Sequence, residues 1–316
     1  MNSRLKVFSG SSHPAFAQKI CRHLNIELGK LESFTFTNDN RFIKINEAVR
    51  GCDVFVIQTS YAPVDVFLME YLMLIRALKG ASASRITAVM PYFPYARSDK
   101  KDQARICLSA RLVADLLETA GADRILIMEM HSPQLQGFFS MPCDHLLASP
   151  TLIKHIKQNC DLKNYTLVAA DAGAAKTLKI YADGLKLPMA IMDKRRDGND
   201  DQPVIKGIVG NVQDKKVMLI DDEISSGRTL VRNAEYLLNK AGAISVDACV
   251  THAVLAGNAA EELAKSPINK IIVTDTMPNE AKNIKGLEIV SVSAVFADCI
   301  KRIYENESIK SINDIY

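Results

Sequence analysis

The stretch that decides the fold class is Val217-Met-Leu-Ile-Asp-Asp-Glu-Ile-Ser-Ser-Gly-Arg-Thr-Leu230. Its first four residues form a short apolar run, typical of a parallel strand that is buried on both faces. The apolar residues that follow Thr229 recur at helical spacing, and they are Leu230, Ala234, Leu237, Leu238 and Ala241. A strand that leads through a short turn into a helix predicts an α/β protein.

The same stretch carries groups that could bind a ligand. Asp221 and Asp222 follow the apolar run, so we expect them at the carboxyl edge of the sheet, where open α/β folds bind ligands. The turn Ser225–Thr229 consists mostly of small or hydroxylated residues, so its backbone N–H groups can converge on an anion at the positive end of the helix. The pattern predicts a phosphate at the turn and hydroxyls or a metal at the acidic pair.

An acidic pair followed by serine is also ordinary helix-capping chemistry, and a lone pair is more often structural than functional. The additional Ser-Ser-Gly-x-Thr favours anion binding. The stretch resembles the phosphoribosyl-diphosphate loop of the type I phosphoribosyltransferases, in which the acidic pair meets ribose hydroxyls and the turn holds the 5-phosphate. Both the use of this donor and its synthesis remain open at this point.

Composition excludes several classes of protein. The chain has 316 residues, of which 48% are hydrophobic, enough for one large or two ordinary globular domains. A net charge of +3 is too small to indicate a nucleic-acid partner. Seven cysteines without C-x-x-C spacing argue against a disulfide framework and a zinc site. No apolar stretch is long enough to cross a bilayer, so we expect no membrane partner and a cytoplasmic location.

Two series of strands and helices follow each other along the chain. The first is predicted to contain strands at Leu5–Phe8, Asp53–Gln58, Ile86–Met90 and Arg124–Glu129, and the second, which begins near Ser149, strands at Thr166–Ala170, Pro188–Asp193, Val217–Ile220, Val246–His252 and Lys270–Thr274. We predict two domains of similar size, 1–148 and 149–316, each with a mostly parallel sheet flanked by helices, and a last helix that packs back on the first domain. Phe34–Asn40 is predicted as a polar, turn-rich interruption.

Two basic segments favour synthesis of the donor over its use. Arg97–Lys101 and Lys194–Arg196 are separate cationic loops, and one would suffice for a single phosphate. A kinase must also hold a nucleoside triphosphate, and phosphoryl transfer depends mostly on positioning and charge neutralisation.

Several motifs, in order along nearly the whole chain, are similar to those of the ribose-phosphate pyrophosphokinases. They are Arg50-Gly-Cys-Asp53, Pro91-Tyr-Phe-Pro-Tyr-Ala-Arg-Ser-Asp99, Leu116-Leu-Glu-Thr-Ala-Gly-Ala122, His131-Ser-Pro-Gln-Leu-Gln-Gly-Phe-Phe139, Asp193-Lys-Arg-Arg196 and the stretch from Val217. The resemblance implies two type I phosphoribosyltransferase-like domains. It also implies transfer of diphosphate from MgATP to the 1-hydroxyl of ribose 5-phosphate, with release of AMP for nucleotide biosynthesis.

The resemblance also implies roles for individual residues. Lys194 and Arg196 are implied to be catalytic, on a mobile loop, and His131 and Asp171 to hold Mg²⁺. The residues implied to bind ATP are Phe36, Asn38, Asp39, Asn40, Arg97, Ser98 and Asp99. Those implied to bind ribose 5-phosphate are Arg196, Asp221, Asp222, Ser225, Ser226, Gly227, Arg228 and Thr229.

Assembly is implied as well, since the family's adenine-contacting turn, here Phe36–Asn40, reaches across from a neighbouring subunit. We therefore expect a homo-oligomer, at least a dimer, with dimers building a hexamer.

The chain departs from the family pattern at some of these positions. Asn38 and Asn40 stand where the family usually has acids, and Arg228 stands where a small residue is usual. Such departures leave two other interpretations. A non-catalytic subunit that associates with the enzyme is the first, although the retained Lys194 and Asp171 argue against it. A phosphoribosyltransferase that consumes the donor is less favoured, because no segment resembles a base-binding hood.

Overall fold

A computed structural model describes residues 4–195, 204–279 and 283–313. The strands are β1 Leu5–Ser9, β2 Leu31–Thr35, β3 Arg41–Ile45, β4 Asp53–Ile57, β5 Arg85–Met90, β6 Arg124–Met128, β7 Cys143–Leu146, β8 Tyr165–Ala169, β9 Met189–Arg195, β10 Val204–Val209, β11 Lys216–Ile224, β12 Ser245–Ala253, β13 Ile268–Thr274 and β14 Leu287–Val290. The α-helices are α1 Pro14–Leu24, α2 Val64–Gly80, α3 Ser109–Ala120, α4 Ser149–Asn159, α5 Ala175–Leu185, α6 Arg228–Asn239, α7 Ala259–Ala264 and α8 Ser293–Glu305.

These elements form two compact units. Unit 1 comprises residues 4–147, Thr276–Pro278 and residues 291–313 of the described chain. Unit 2 comprises the described residues of 148–275 and of 279–290. The last helix, α8, thus belongs to unit 1, where Phe296 packs edge-on against Phe16 of α1 with ring centroids 5.4 Å apart.

Unit 1 is built on a parallel sheet in the order β1-β4-β5-β6-β7. Its strands read as continuous apolar runs because helices cover both faces, and every residue of β4 is buried. A separate antiparallel hairpin, β2–β3, packs beside α2. Residues Phe34 and Thr35 therefore belong to a strand, and only residues 36–40 form the predicted turn.

Unit 2 has a larger sheet in the order β10-β9-β8-β11-β12-β13-β14. The pairs from β9 to β14 are parallel, and β10 lies antiparallel to β9 at the edge. The strand β11 is central, with Val217 and Leu219 in a core that also contains Ala234 and Leu237 of α6. The predicted α/β class with sheets flanked by helices is confirmed in both units.

The prediction was wrong on some elements. The short strands β7 and β14, and the edge strand β10, were missed because four to six residues with partial exposure carry little periodic signal. Lys194 and Arg195 were expected on a loop but belong to β9, where Lys194 pairs with Ile205 of β10. No helix in the described part of the chain is long and apolar enough to span a bilayer.

Candidate active site

The acidic pair lies inside a strand rather than after it. β11 pairs with β8 only from Lys216 to Ile220, whereas its pairing with β12 continues to Ile224. Because β11 extends past the end of β8, one side of Asp221 and Asp222 has no neighbouring strand. Their position at the carboxyl edge of a mostly parallel sheet is that predicted, but the sequence placed the end of the strand four residues early.

The two carboxylates influence each other's protonation. Burial, together with the charge of Asp222, raises the pKa of Asp221 to about 7, and the charge of Asp171 acts in the same direction. The backbone N–H of Asp222 donates to Oδ1 of Asp221 at 2.9 Å and opposes this rise. Near neutral pH the pair therefore carries less than two full negative charges, and a hydroxyl or a cation would find an acceptor there.

The turn after β11 opens directly into α6. Gly227 is the N-cap with φ +76°, a conformation that residues with a Cβ rarely adopt, and α6 begins at Arg228. The turn is tied to the next connection by Leu255 N–H, which donates to Ile224 O at 3.1 Å, and Ala256 N–H, which donates to Ser225 O at 3.0 Å. The helix N-terminus therefore points its N–H groups at this edge of the sheet.

Exposure differs among the turn residues. Ser225 and Ser226 are half-buried, whereas Arg228 and Thr229 are exposed on the first turn of α6. Gly227 is buried, and a Cβ there would lie 3.3 Å from Cγ of Leu263. The glycine thus takes the left-handed torsion one position before Arg228, so the arginine side chain does not need to sit in a strained turn.

Asp171 stands at the end of the neighbouring strand β8. Its Oδ1 accepts from Gly173 N–H at 2.8 Å and from Ala174 N–H at 3.3 Å, which caps the short 3₁₀ turn Ala172–Ala174. The carboxylate is held in place by these bonds, and Asp171 is exposed.

Lys194 approaches the same carboxylates from β9. Its side chain is half-buried, and desolvation lowers the pKa of its ammonium group, although the charges of Asp171 and Asp221 oppose that shift. Asp171, Asp221 and Lys194, which the sequence assigned separate roles, are therefore electrostatically coupled within unit 2. Arg196, the other predicted catalytic residue, lies outside the described residues.

The predicted adenine-contacting residues form the tip of the β2–β3 hairpin in unit 1. Phe36 N–H donates to Asn40 O at 2.8 Å, and Asp39, with φ +63°, donates its N–H to Phe36 O at 3.0 Å. The Asn38 side-chain oxygen accepts from Asn40 N–H at 3.2 Å. This amide is thus already used to shape the turn, a role that the sequence did not indicate.

Aromatic rings flank that tip. Phe36 is 48% exposed, and its ring centroid lies 5.0 Å from that of Phe34 and 6.0 Å from that of Phe42. An exposed, edge-supported ring offers a stacking surface for a planar ligand.

The other predicted residues of unit 1 lie on connections that follow β5 and β6. Arg97 is exposed, Ser98 and Asp99 are half-buried, and Ser98 N–H donates to Tyr95 O at 2.9 Å. His131 is exposed and follows β6 shortly before the 3₁₀ turn Pro133–Phe138.

The two predicted metal ligands lie in different units, His131 in unit 1 and Asp171 in unit 2. No group of three or more His, Cys, Asp or Glu side chains suited to a metal lies within residues 4–195, 204–279 and 283–313. The carboxylate of Asp171 supplies an oxygen ligand of the kind that Mg²⁺ prefers, and Mg²⁺ usually completes its shell with water and phosphate oxygens.

The fold and the edge of unit 2 together define a class of enzyme. A mostly parallel sheet that presents paired carboxylates, a lysine and a helix N-terminus at its carboxyl edge is typical of α/β enzymes that bind phosphorylated ligands there.

Comparisons with known proteins define the family. Residues 5–121 match the model for the N-terminal domain of ribose phosphate pyrophosphokinase, and residues 197–313 match the phosphoribosyl synthetase-associated domain. A ribose-phosphate pyrophosphokinase from Caldanaerobacter subterraneus is 43% identical over 98% of this chain and 97% of its own length. Ribose-phosphate pyrophosphokinase 2 from Schizosaccharomyces pombe is 40% identical over 98% of this chain and 97% of its own.

A solved structure agrees with these relatives. The crystal structure of phosphoribosylpyrophosphate synthetase from Mycobacterium smegmatis matches with a TM-score of 0.90 and 38% identity, over 96% of this chain and all of that one. The chain belongs to the ribose-phosphate pyrophosphokinase family and is a transferase.

Proposed function

We propose that this protein transfers the diphosphoryl group of MgATP to the 1-hydroxyl of ribose 5-phosphate, giving 5-phosphoribosyl 1-diphosphate and AMP for nucleotide biosynthesis. The observation that carries the proposal is the coupled group of Asp171, Lys194 and Asp221 beside the open turn at the start of α6. This group belongs to a chain that is about as long as the relatives that are named for this activity.

Ribose 5-phosphate occupies the edge of unit 2 in this proposal. The N–H groups at the start of α6, with the hydroxyls of Ser225, Ser226 and Thr229, receive the 5-phosphate. Asp221 and Asp222 accept hydrogen bonds from the ribose hydroxyls, which are donors that carboxylates bind well. Gly227 permits close approach of the backbone, and Arg228 stands beside the phosphate without being required for its binding.

ATP is held by residues of unit 1. Phe36 stacks on the adenine, with Asn38, Asp39 and Asn40 shaping the tip around it. The phosphates of ATP are bound by Arg97, Ser98 and Asp99, and the Arg97 guanidinium forms charge-assisted hydrogen bonds with them. Unit 1 thereby supplies the nucleotide and unit 2 the sugar phosphate.

In the chemical step, the 1-hydroxyl oxygen of the sugar attacks the β-phosphorus of ATP and releases its proton to solvent. The bond between that phosphorus and the α,β-bridging oxygen breaks, and AMP leaves with the bridging oxygen. Lys194 and Arg196 stabilise the negative charge that moves onto that oxygen, which is the main task in phosphoryl transfer. Asp171 and His131 would hold Mg²⁺, which offsets the charge of the phosphate oxygens.

Two other functions fit the residues less well. A non-catalytic associated subunit would explain the departures at Asn38, Asn40 and Arg228, but it would not need Lys194 half-buried among carboxylates. A phosphoribosyltransferase would need only the edge of unit 2. The proposed assembly is a homo-oligomer, at least a dimer and in its full form a hexamer, in the cytoplasm.

Incubation with ribose 5-phosphate and MgATP, followed by chromatography for AMP, separates these functions. We expect AMP to form only when both substrates and a divalent cation are present. A protein that forms no AMP, yet binds an active family member, would instead be an associated subunit.

A further inference from the structure

A buried carboxylate ties the base of the β2–β3 hairpin to unit 1. Glu70 of α2 is 1% exposed and accepts hydrogen bonds from donors on both sides of it. Its Oε1 accepts from Ser33 Oγ of β2 at 2.8 Å and pairs with Arg41 of β3 at 2.7 Å. One carboxylate oxygen thus holds both strands of the hairpin.

The other oxygen of Glu70 faces the carboxyl edge of the unit 1 sheet. Oε2 accepts from Ser11 Oγ at 2.6 Å, from Ser11 N–H at 3.2 Å and from Gln58 Nε2 at 2.9 Å. Gln58, which follows β4, is fixed in turn by Ser12, whose N–H and hydroxyl both donate to its Oε1. Glu70 therefore connects the hairpin to the rigid parallel sheet.

The position of this connection along the hairpin matters. The strand residues on this face become more polar toward the tip, from the pair Leu31 and Ile45 at the base, through the pair Ser33 and Ile43, to Arg41. The three apolar members of this face pack against the unit 1 core. The contacts of Glu70 with Ser33 and Arg41 therefore lie between the apolar base and the exposed ring of Phe36.

Burial of a charge is unfavourable unless the charge is paired, so this network is sensitive to loss of any member. Burial alone would raise the pKa of Glu70, but hydrogen bonds from Ser11, Ser33 and Gln58 outweigh it and hold the pKa below its ordinary value. The carboxylate is thus ionised at neutral pH, and Arg41 sees its full negative charge.

We propose that Glu70 is a positioning residue for ATP, which acts through Ser33 and Arg41 to hold the hairpin tip where it receives adenine. This inference rests on the proposed function, since it takes the tip as part of the ATP site. Because Glu70 is buried behind the hairpin, it affects ATP binding only through the fraction of molecules whose hairpin tip is in place. An apparent Michaelis constant rises as that fraction falls, whereas turnover at saturating ATP is unchanged.

Two substitutions test the connection from opposite sides. Glu70→Gln keeps the shape but removes the charge and presents an amide donor toward donors. Arg41→Met keeps the apolar stem of the side chain and removes the guanidinium. We expect each to raise the Michaelis constant for ATP roughly five- to thirtyfold, with turnover and the Michaelis constant for ribose 5-phosphate within about twofold of the parent.

Arg85→Met is the matched control. Arg85 pairs with the buried Asp53 in the same unit, where its Nε donates to Asp53 Oδ1 at 3.0 Å, and it also donates to Ile303 O of α8 at 2.9 Å, so both partners lie outside the hairpin. This variant is expected to lower the melting temperature while it leaves the Michaelis constant for ATP unchanged. If it raised that constant as much as Arg41→Met, general loss of stability would be the cause and the proposal would be overturned.

The double variant Glu70→Gln/Arg41→Met separates positioning from direct contact. If both residues act through one connection, the double variant resembles each single variant, and additive effects would contradict the proposal. Should Glu70→Gln fail to fold, Ser33→Ala takes its place in the cycle, because it removes a single hairpin donor.

Amide hydrogen exchange over residues 31–45 provides a readout that does not depend on activity. Faster exchange there in Arg41→Met than in Arg85→Met is expected, and equal exchange would overturn the connection. A parent protein that forms no AMP would refute the proposed function, while this exchange result would still decide whether Glu70 holds the hairpin.

Discussion

The two units use the same local structure, a strand that turns into a helix at the carboxyl edge of a sheet, in opposite ways. In unit 1 the turn between β1 and α1 is filled from inside, because Ser11 N–H donates to Glu70 and Ser12 N–H donates to Gln58. Gly10 makes room for this, since a Cβ there would lie 2.4 Å from the Gln58 side-chain oxygen. Among the described residues, no side chain accepts a hydrogen bond from the backbone N–H groups of the turn Ser225–Gly227 in unit 2.

The difference shows how one architecture separates support from binding. A turn whose donors are satisfied by a buried carboxylate supports the hairpin, whereas a turn with open donors is ready for an outside anion.

Lys194→Ala is expected to have the largest effect. The ammonium group lies among the carboxylates of unit 2 and in our account acts on the transferring group, so turnover should fall roughly 10²–10³-fold. Ribose 5-phosphate binding, measured by calorimetry, should survive. Equal loss of binding and turnover would show that the lysine binds the sugar instead.

Asp221→Asn is expected to raise the Michaelis constant for ribose 5-phosphate roughly tenfold, because an amide presents a donor where a hydroxyl needs an acceptor. The Michaelis constant for ATP serves as the internal control and should change little. An unchanged constant for the sugar would place ribose 5-phosphate elsewhere.

The raised pKa of Asp221 predicts that the free energy of unfolding of the ligand-free protein depends on pH, and the same variant tests this. The pKa of Asp221 is raised to about 7, so the unfolded chain loses this proton before the folded one does. Its contribution to stability is complete below pH 3.8, the ordinary pKa of an aspartate, and is lost progressively as pH rises from there to about 7. We expect the free energy of unfolding of Asp221→Asn, relative to that of the parent, to be higher at pH 8 than at pH 5 by roughly 1–4 kcal/mol. Thermal unfolding at the two pH values measures this difference. An equal difference at both pH values would contradict the raised pKa.

The turn at the hairpin tip gives a smaller effect. Asn40→Glu introduces an acid at a position where the family resemblance implies one, and it should leave the Michaelis constant for ATP unchanged or lower it. Asn40 contributes its backbone groups to the turn, which this substitution retains. A collapse of activity would mean that the tip binds something other than adenine.

Arg228→Gly is expected to have the smallest effect. The side chain is exposed, and Gly227 already takes the left-handed torsion. In our proposal the backbone and hydroxyl donors of the turn bind the 5-phosphate without the guanidinium. Ribose 5-phosphate affinity should therefore stay within about twofold. A loss of tenfold or more, commonly that of a charge-assisted hydrogen bond, would place Arg228 on the phosphate.

Most of the fold could be predicted from the sequence because buried parallel strands read as apolar runs, as in Asp53–Ile57 and the start of β11. The strand ends could not. Asp221 and Asp222 extend β11 through pairing with β12 alone, and local pattern does not reveal that one neighbour stops before the other.

Part of the site was also beyond the sequence. The turn Ser225–Thr229 was visible because its small residues are adjacent in the chain. Glu70 was not, since its partners come from four distant segments, and the available signal was one acidic residue on the buried face of an apolar helix. The sequence motif identified Lys194, but the residue was expected on a loop. The reason is that β10, the strand that pairs with β9 at Lys194, has mixed polarity and could not be predicted.

The most direct test of the central claim uses ATP labelled in its β-phosphate, incubated with ribose 5-phosphate and a divalent cation, with products separated by chromatography. Diphosphoryl transfer predicts that all the transferred label appears in the sugar product and that the nucleotide product is unlabelled AMP. Label retained in a nucleoside diphosphate, beside a sugar that has gained only the γ-phosphate, would contradict the account.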